Sequence, residues 1–287
     1  MPPRKRAKGS GSSSAPKINL RDPNKSGDDP QYRAMAELWR AGELCDFTVK
    51  VESSTYACHK LVLASASSYF RALLPGDRYA DSHDHELNDM QSAVFDRLLT
   101  FVYDGECSVA DDMLPALLEA ASRLQVDSLQ AVAAEALMHG LSAANCIDTW
   151  VFAERAGLAD LEAAAKAHTV AHFEAAVATE AFSTLSREML EVLLASDDMP
   201  AKEEVVFDAL VSWLRAQEAP AREESSVAQL MQHVRFAQMA PEFINERVEK
   251  EPLMDNRAAF KVLAQAMKVR GGGFELDSVA AISACCL

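Results

Sequence analysis

Residues 42–74 read GELCDFTVKVESSTYACHKLVLASASSYFRALL, and the period of their apolar positions changes twice. Phe47, Val49 and Val51 alternate with Thr48, Lys50 and Glu52, the two-residue period of a half-buried strand. Ser53 and Ser54 turn the chain into a second short strand, Tyr56–His59. A helix over Ser67–Leu74 follows the hairpin, and Pro75-Gly76 breaks it. Upstream, Tyr32, Met35, Leu38 and Trp39 recur at helical spacing, with Gly42 as the stop. Downstream, His85–Asn88 reads as a short edge strand. Phe95, Leu98, Leu99 and Val102 mark an amphipathic helix ending at Gly105. Another helix starts near Asp111, with Met113, Leu114, Leu117, Leu118 and Ala121 on one face.

Beyond Val126 nearly every segment has the helical period, as in Trp150–Arg155, Leu190–Leu194, Val205–Leu214, Leu230–Val234 and Phe260–Met267. Gly140, Gly157, Pro200, Pro220 and Pro241 divide this half into antiparallel-sized pieces. A mixed α+β unit therefore precedes an all-α one. Residues 1–30 hold Ser, Gly, Pro and Lys with almost nothing to bury, and are expected to be disordered.

Of the 287 residues 49% are hydrophobic and 25% charged, ordinary globular composition. Apolar runs fall short of the ~20 residues a membrane span requires, and MPPRKRAKGS has no apolar core behind its charges, so it is not a secretory signal. The expectation is a soluble intracellular chain, cytoplasmic and/or nuclear. Residues 1–30 carry a net charge of +4, with seven Lys and Arg against three Asp and Glu, while the rest carries −19. An acidic body repels phosphate, so no nucleic-acid partner is expected for the folded part, and no membrane partner either. Arg4, Lys5, Arg6 and Lys8 cluster in the tail and read either as a nuclear address or as a plain solvated segment.

A search for chemistry returns no catalytic, cofactor or metal site. Gly271-Gly272-Gly273 lacks the strand, helix and Lys of a phosphate loop and reads as a linker. His83 and His85 lie among Asp81, Asp84 and Glu86 after a Pro-Gly break, a pattern read as a solvated turn rather than a metal site. Cys58 and His59 are adjacent in a strand, so their side chains point to opposite faces and cannot form a dyad. Cys45, Cys58, Cys107 and Cys146 read as small buried hydrophobes. Cys285-Cys286 reads as an unremarkable tail, the prenylation position being Ala284. The apolar face of the first helix needs a partner, either the core or a second subunit.

Four segments in register carry a resemblance: GELCDFTVKV, ACHKLVLASASSYFRALL, FDRLLTFVYDGECSV and LLEAASRLQVDSL. Together they resemble the BTB (POZ) domain of Kelch-like proteins, from about Gln31 to Leu137. SAANCIDTWVFAERAGLADL, EEVVFDALVSWLR and LMQHVRFAQMAPEFINERVEKEPLM resemble the BACK domain that follows it. The expected division is a disordered basic tail at 1–30, BTB at 31–137, BACK at 138–270 and a flexible C-terminal tail at 271–287. The resemblance implies an α+β BTB fold followed by an all-α BACK domain. It also implies a non-catalytic homodimer that binds the N-terminal domain of cullin-3 and serves as substrate adaptor in a ubiquitin ligase, its substrate protein unidentified.

Residue by residue, the resemblance places Tyr32, Met35, Leu38, Trp39 and Asp46 at the dimer interface. Asp46 and His59 fall where the family has a buried Asp and a His-Lys pair, with Lys60 as the charge partner. The other reading of Asp46 is a partly solvated turn aspartate. Phe70, Leu73 and Leu74 match the helix bordering the cullin surface, and Tyr103 matches the aromatic of the family's YxG element or packs a helix end. The family's cullin signature, an apolar residue and then Glu two places on, meets Arg78 and Ala80. A shift of one offers Tyr79 and Asp81. An Arg in place of an apolar anchor costs ~2 kcal/mol or more, which favours the alternative of a BTB–BACK dimerisation scaffold that does not bind cullin. A propeller needs at least four Kelch repeats of ~50 residues, and 33 residues follow Met254. Either targets are recruited through BACK, the tail or a partner, or the chain is a fragment of a longer protein.

Overall fold

The computed structural model describes residues 17–25, 30–74, 84–217 and 224–269. Two compact units divide at Gly140 and Leu141: the first mixes strands and helices, the second is helical. No helix among the described residues is long and apolar enough to cross a membrane.

In the first unit, helix α1 (Pro30–Ala41) leads into a hairpin of β2 (Phe47–Val51) and β3 (Ser54–Cys58), after the short strand β1 (Lys17–Arg21). The hairpin register runs from Phe47 opposite Cys58 to Val51 opposite Ser54. That leaves a two-residue turn in which Glu52 takes a φ of +52°. Phe47, Val49 and Val51 are all buried, so the alternation in the sequence marks a core face. Helices α2 (Lys60–Ala66) and α3 (Ser68–Leu73) carry the chain across to β4 (Asp84–Leu87), which pairs parallel to the far side of β2. A parallel partner requires such a crossover.

The predicted helix over Ser67–Leu74 is α3, and what the sequence did not disclose is α2 before it, separated from α3 because Ser67 leaves the helical region at φ −137° and ψ 121°. Its hydroxyl accepts the Phe70 N–H at 3.1 Å, the usual bond of an N-cap serine, and donates to the Leu124 carbonyl.

Helix α4 (Ser92–Asp104) is the centre of the unit, burying Val94, Phe95, Leu98, Leu99, Phe101, Val102 and Tyr103. It ends at Gly105, whose φ of +75° suits glycine, and where a Cβ would come within 3.1 Å of the Lys25 Cβ. Strand β5 (Glu106–Ala110) and helices α5 (Leu114–Arg123) and α6 (Asp127–His139) complete the unit.

The expectation of disorder through residue 30 fails for residues 17–25. β1 pairs antiparallel with β5, Lys17 opposite Ala110 and Arg21 opposite Glu106, and Leu20 is buried. Five residues do not hold a strand alone, and the partner lies some 90 positions away, beyond the reach of local composition. Arg4, Lys5, Arg6 and Lys8, like Tyr79, Asp81 and the tail 271–287, lie outside the described residues.

The second unit is built on α7 (Cys146–Ala156), α8 (Ala159–Ala171), α9 (Arg187–Leu194), α10 (Glu203–Ala216), α11 (Glu224–Met231) and α12 (Arg257–Val269), with short turns between them. Gly157, at φ +67°, closes α7, and α10 runs through the core with Phe207, Leu210, Trp213 and Leu214 buried. The Trp213 indole donates to the Leu185 carbonyl at 3.0 Å, which satisfies the one polar atom such a ring buries. Glu251, also buried, receives a two-pronged bond from Arg215, 2.9 Å to each oxygen, and a third bond from Arg247. Burial alone would raise the Glu251 carboxyl, but the bonds from Arg247 and Arg215 outweigh it and hold the group below its ordinary value.

Candidate functional site

Two of the residues singled out in the first unit, Trp39 and His59, meet around one buried phenol. Tyr103, next to last in α4, has no exposed surface. Its hydroxyl accepts the His59 backbone N–H at 2.9 Å and lies 3.0 Å from the ring Nδ1 of the same residue. The other ring nitrogen, Nε2, lies 2.9 Å from the Glu43 carbonyl oxygen. A carbonyl only accepts, so Nε2 carries the proton, Nδ1 is the acceptor, and the Tyr103 hydroxyl donates to it. The phenol thus uses both its donor and an acceptor site, and burial pushes its ionisation upward. Trp39 of α1 stacks flat on Tyr103, with ring centroids 4.4 Å apart and planes within 4°. Arg40 and Asp104 tie the same two helices with a pair of 2.6 Å bonds.

The loop after α1 is held by these bonds in a conformation its sequence does not favour. Leu44 sits at φ +58°, a region β-carbon sterics make costly, and its side chain is 79% exposed. Asp46 is exposed rather than buried, which corrects the first of its two readings for this chain on its own. Its carboxylate accepts the Lys60 backbone N–H at 2.8 Å, standing in for a cap at the start of α2, whose N-cap His59 offers none. Glu52, at the hairpin turn, does the same for α4 by accepting the Ser92 N–H at 3.0 Å. That bond holds its carboxyl below the ordinary value. Next to Lys60, Leu61 is 80% exposed.

An apolar rim results that only partly coincides with expectation. Tyr32, Met35, Leu38 and Trp39 are half-buried, Trp39 against Tyr103 and Tyr32 under the Lys25 ammonium, 5.5 Å from its ring centre. Sequence reasoning missed Leu44 and Leu61. Their signal was present, because an apolar residue beside Lys60 in a helix that also has Val62 and Leu63 to bury lies off the core-facing stripe.

The residues matched to a cullin surface separate sharply. Phe70, Leu74 and Tyr103 are buried, at 1%, 8% and 0% exposure, and offer a partner little surface in this conformation. They support the surface from within, and Leu73 is half-buried. Tyr103 packs at the end of α4 against Trp39 and His59.

Nucleophilic chemistry finds little support here. The Cys45 thiol lies 3.7 Å from His59 Nε2, a proximity the sequence did not disclose, but burial, then the Asp46 charge, raises its ionisation. Burial pushes Cys58 to about 12 and Cys107 to about 11. None of the three is an activated thiolate.

Comparison with known proteins matches two family models in succession. The BTB/POZ domain spans residues 35–141, and the domain described as BTB And C-terminal Kelch spans 146–249. "Kelch-like protein 2" of Homo sapiens is 31% identical over 240 residues, 83% of this chain and 40% of that protein. "Kelch-like protein 3" of Pongo abelii has the same identity and coverage. The chain thus spans 40% of the length of these relatives. Among solved structures, the "BTB domain of zebrafish PATZ1" aligns with a TM-score of 0.34 and 24% identity, over 37% of this chain and 87% of that one.

Proposed function

We propose that this chain, which belongs to the BTB–BACK proteins and resembles the Kelch-like ones, is a non-catalytic homodimeric adaptor that brings a substrate protein to a cullin-3 ubiquitin ligase. The observation that carries the binding half of this reading is the apolar rim: Leu44 and Leu61, four-fifths exposed, on the loop after α1 and on the helix that Asp46 of that loop caps, together with the half-buried Met35 and Leu38 of α1. Large aliphatic side chains left in water next to an ordered, hydrogen-bonded loop are the composition of an interface core. A two-fold pairing would use each of them twice. The dimer would hold two ligase arms about one substrate and raise the effective concentration without new contacts.

A second reading, a BTB–BACK scaffold that dimerises without binding cullin, has its own support. Phe70 and Leu74 are buried, and the sequence has Arg78 and Ala80 where the family has an apolar residue and a Glu. Leu73, Tyr79 and Asp81 remain the proposed contact residues. Arg4, Lys5, Arg6 and Lys8 are proposed as a nuclear address, with the cytoplasm as the other compartment.

Titration calorimetry against the cullin-3 N-terminal domain, with light scattering on the mixture, separates the two readings. Heat and co-migration at one cullin per chain, on a dimer, support the adaptor. A folded dimer that gives no heat leaves the scaffold, and a monomer at all concentrations refutes both.

A further inference from the structure

Helix α12 of the second unit turns to water a face whose charge is opposite to that of the chain as a whole. Its buried residues are Ala259, Leu263 and Met267, spaced by four, and they fix which side the helix hides. Its exposed residues are then Arg257, Lys261, Gln265 and Lys268. At about 100° per residue, Lys261 and Lys268 lie about 40° and about 20° round the helix from Arg257, so the three cations form one stripe about 17 Å long. From Asn256 to Val269 the sequence has no Asp or Glu, and it has none from Ser225 to Ala240. Helix α11, which packs on α12, lies almost wholly in that second stretch, and its exposed Ser225 and Gln229 carry no charge. All this occurs in a chain with a net charge of −15. Half-buried arginines elsewhere in the unit are neutralised in place, Arg187 by Glu191, Arg235 by Asp197 and Arg247 by Asp208. Among the described residues, no carboxylate lies within ion-pair distance of Arg257, Lys261 or Lys268.

From this charge distribution we infer that the outer face of α12 is a docking surface for an extended acidic segment of a partner protein. That the partner is the substrate rests on the adaptor reading; the docking itself does not. An extended chain advances about 3.3 Å per residue, so about five residues run the length of the stripe, with alternate side chains on one side. Carboxylates on that side meet the cations. Arg257 offers a carboxylate two parallel N–H donors, and the ammonium groups of Lys261 and Lys268 act as point charges. The Gln265 amide, donor and acceptor at once, bonds the backbone of the segment. A short segment suits the stripe better than a nucleic acid or an anionic membrane. The attraction of the three cations is local, whereas a polyanion reaching beyond the Debye length of about 8 Å also meets the repulsive field of the acidic body.

The test is fluorescence anisotropy of a labelled hexaglutamate peptide titrated with the full chain, beside the triple variant Arg257→Gln, Lys261→Gln, Lys268→Gln and the control Lys250→Gln. All of these side chains are exposed, so both variants should melt like the parent. The expected result is saturable binding by the parent and by the control, about tenfold or more weaker in the triple variant. Raising the salt from about 0.05 M to about 0.3 M should weaken it too. No binding by the parent, or equal binding by the triple variant, would overturn the surface. So would a DNA duplex of equal charge that binds more tightly than the peptide, or self-association of the parent that the triple variant loses, which would give the stripe to a second copy. Peptide binding by a chain that gives no heat with cullin-3 would support the surface and refute the adaptor reading alone, and cullin binding without peptide binding would refute the surface alone.

Discussion

Replacing Tyr103 with Phe removes one oxygen and leaves the ring in place, so it isolates the bond that holds the β3–α2 junction. The stack on Trp39 at 4.4 Å and the packing of α4 should survive. What is lost is the acceptor for the His59 N–H at 2.9 Å and the donor to its Nδ1 at 3.0 Å. A Phe ring edge leaves both groups facing carbon. Removing one partner from a buried pair costs roughly 1–3 kcal/mol for the group left unsatisfied. The backbone N–H and the imidazole are both affected, so the upper half of that range is expected. Tyr103→Ala adds the cavity of a fully buried ring and should cost about 3–5 kcal/mol. Urea denaturation of the two variants beside the parent gives both values, and amide hydrogen exchange gives a local readout, because the His59 N–H should lose protection in the Phe variant. A Tyr103→Phe protein within about 0.5 kcal/mol of the parent, with His59 still protected, would refute the hydrogen-bond assignment. The same variant bears on the adaptor: a phenol that only supports the surface predicts unchanged cullin stoichiometry per folded chain, and a direct contact predicts a loss.

Leu61→Asp, alone and with Leu44→Asp, should shift the chain to monomer in light scattering. Withdrawing one Leu from an interface costs about 1.5–3 kcal/mol, or tenfold or more in dissociation constant for each side chain, and an unchanged dimer would remove the rim from the interface. Leu20→Ala should destabilise the first unit by about 2–3 kcal/mol if β1 is part of its core, and a variant that melts like the parent would return β1 to the periphery. Glu251 has its carboxyl held below the ordinary 4.5 in the folded chain. Its contribution to stability is therefore complete above that value and is lost as the pH falls through the lower, folded one. Glu251→Gln should flatten this acid limb in melting curves recorded from neutral pH to pH 3, and parallel curves for the two proteins would disprove the assignment.

Patterns confined to a few residues were legible in the sequence. The alternation over Phe47–Val51 and the stripe Phe95, Leu98, Leu99, Val102 each specify an element and its buried face, because the period alone tells a chain which side to hide. Helix α2, just before the predicted helix at Ser67, was less accessible. Leu61, Val62 and Leu63 are consecutive, a run that periodicity does not assign to a helix, and Leu61 stays exposed while the next two are buried. β1 was missed for a related reason, since its alternating Ile18 and Leu20 are two residues in a polar stretch and the strand exists only against β5.

The exposure of the proposed contact residues was the least legible feature, and the reason is physical. A family pattern records which side-chain types occupy a position but not whether they face water. Phe70, Leu74 and Tyr103 are large and apolar because they are core. The described residues of the first unit that face water as large hydrophobes, Leu44 and Leu61, fall outside the helical stripe of α1. Leu44 is exposed because its loop is pinned in a left-handed turn, through His59 bridging the Glu43 carbonyl to Tyr103. Leu61 is exposed because Asp46 and Tyr103 take up the first two N–H groups at the start of α2, those of His59 and Lys60, and so fix which face of that helix turns outward. The same few bonds therefore order the loop and present both leucines. This linkage predicts that Tyr103→Phe should weaken self-association as well as folding, and to a greater degree than Leu20→Ala, which lowers stability without touching the rim. If at equal stability the two variants dimerise equally, presentation of the leucines does not depend on the phenol.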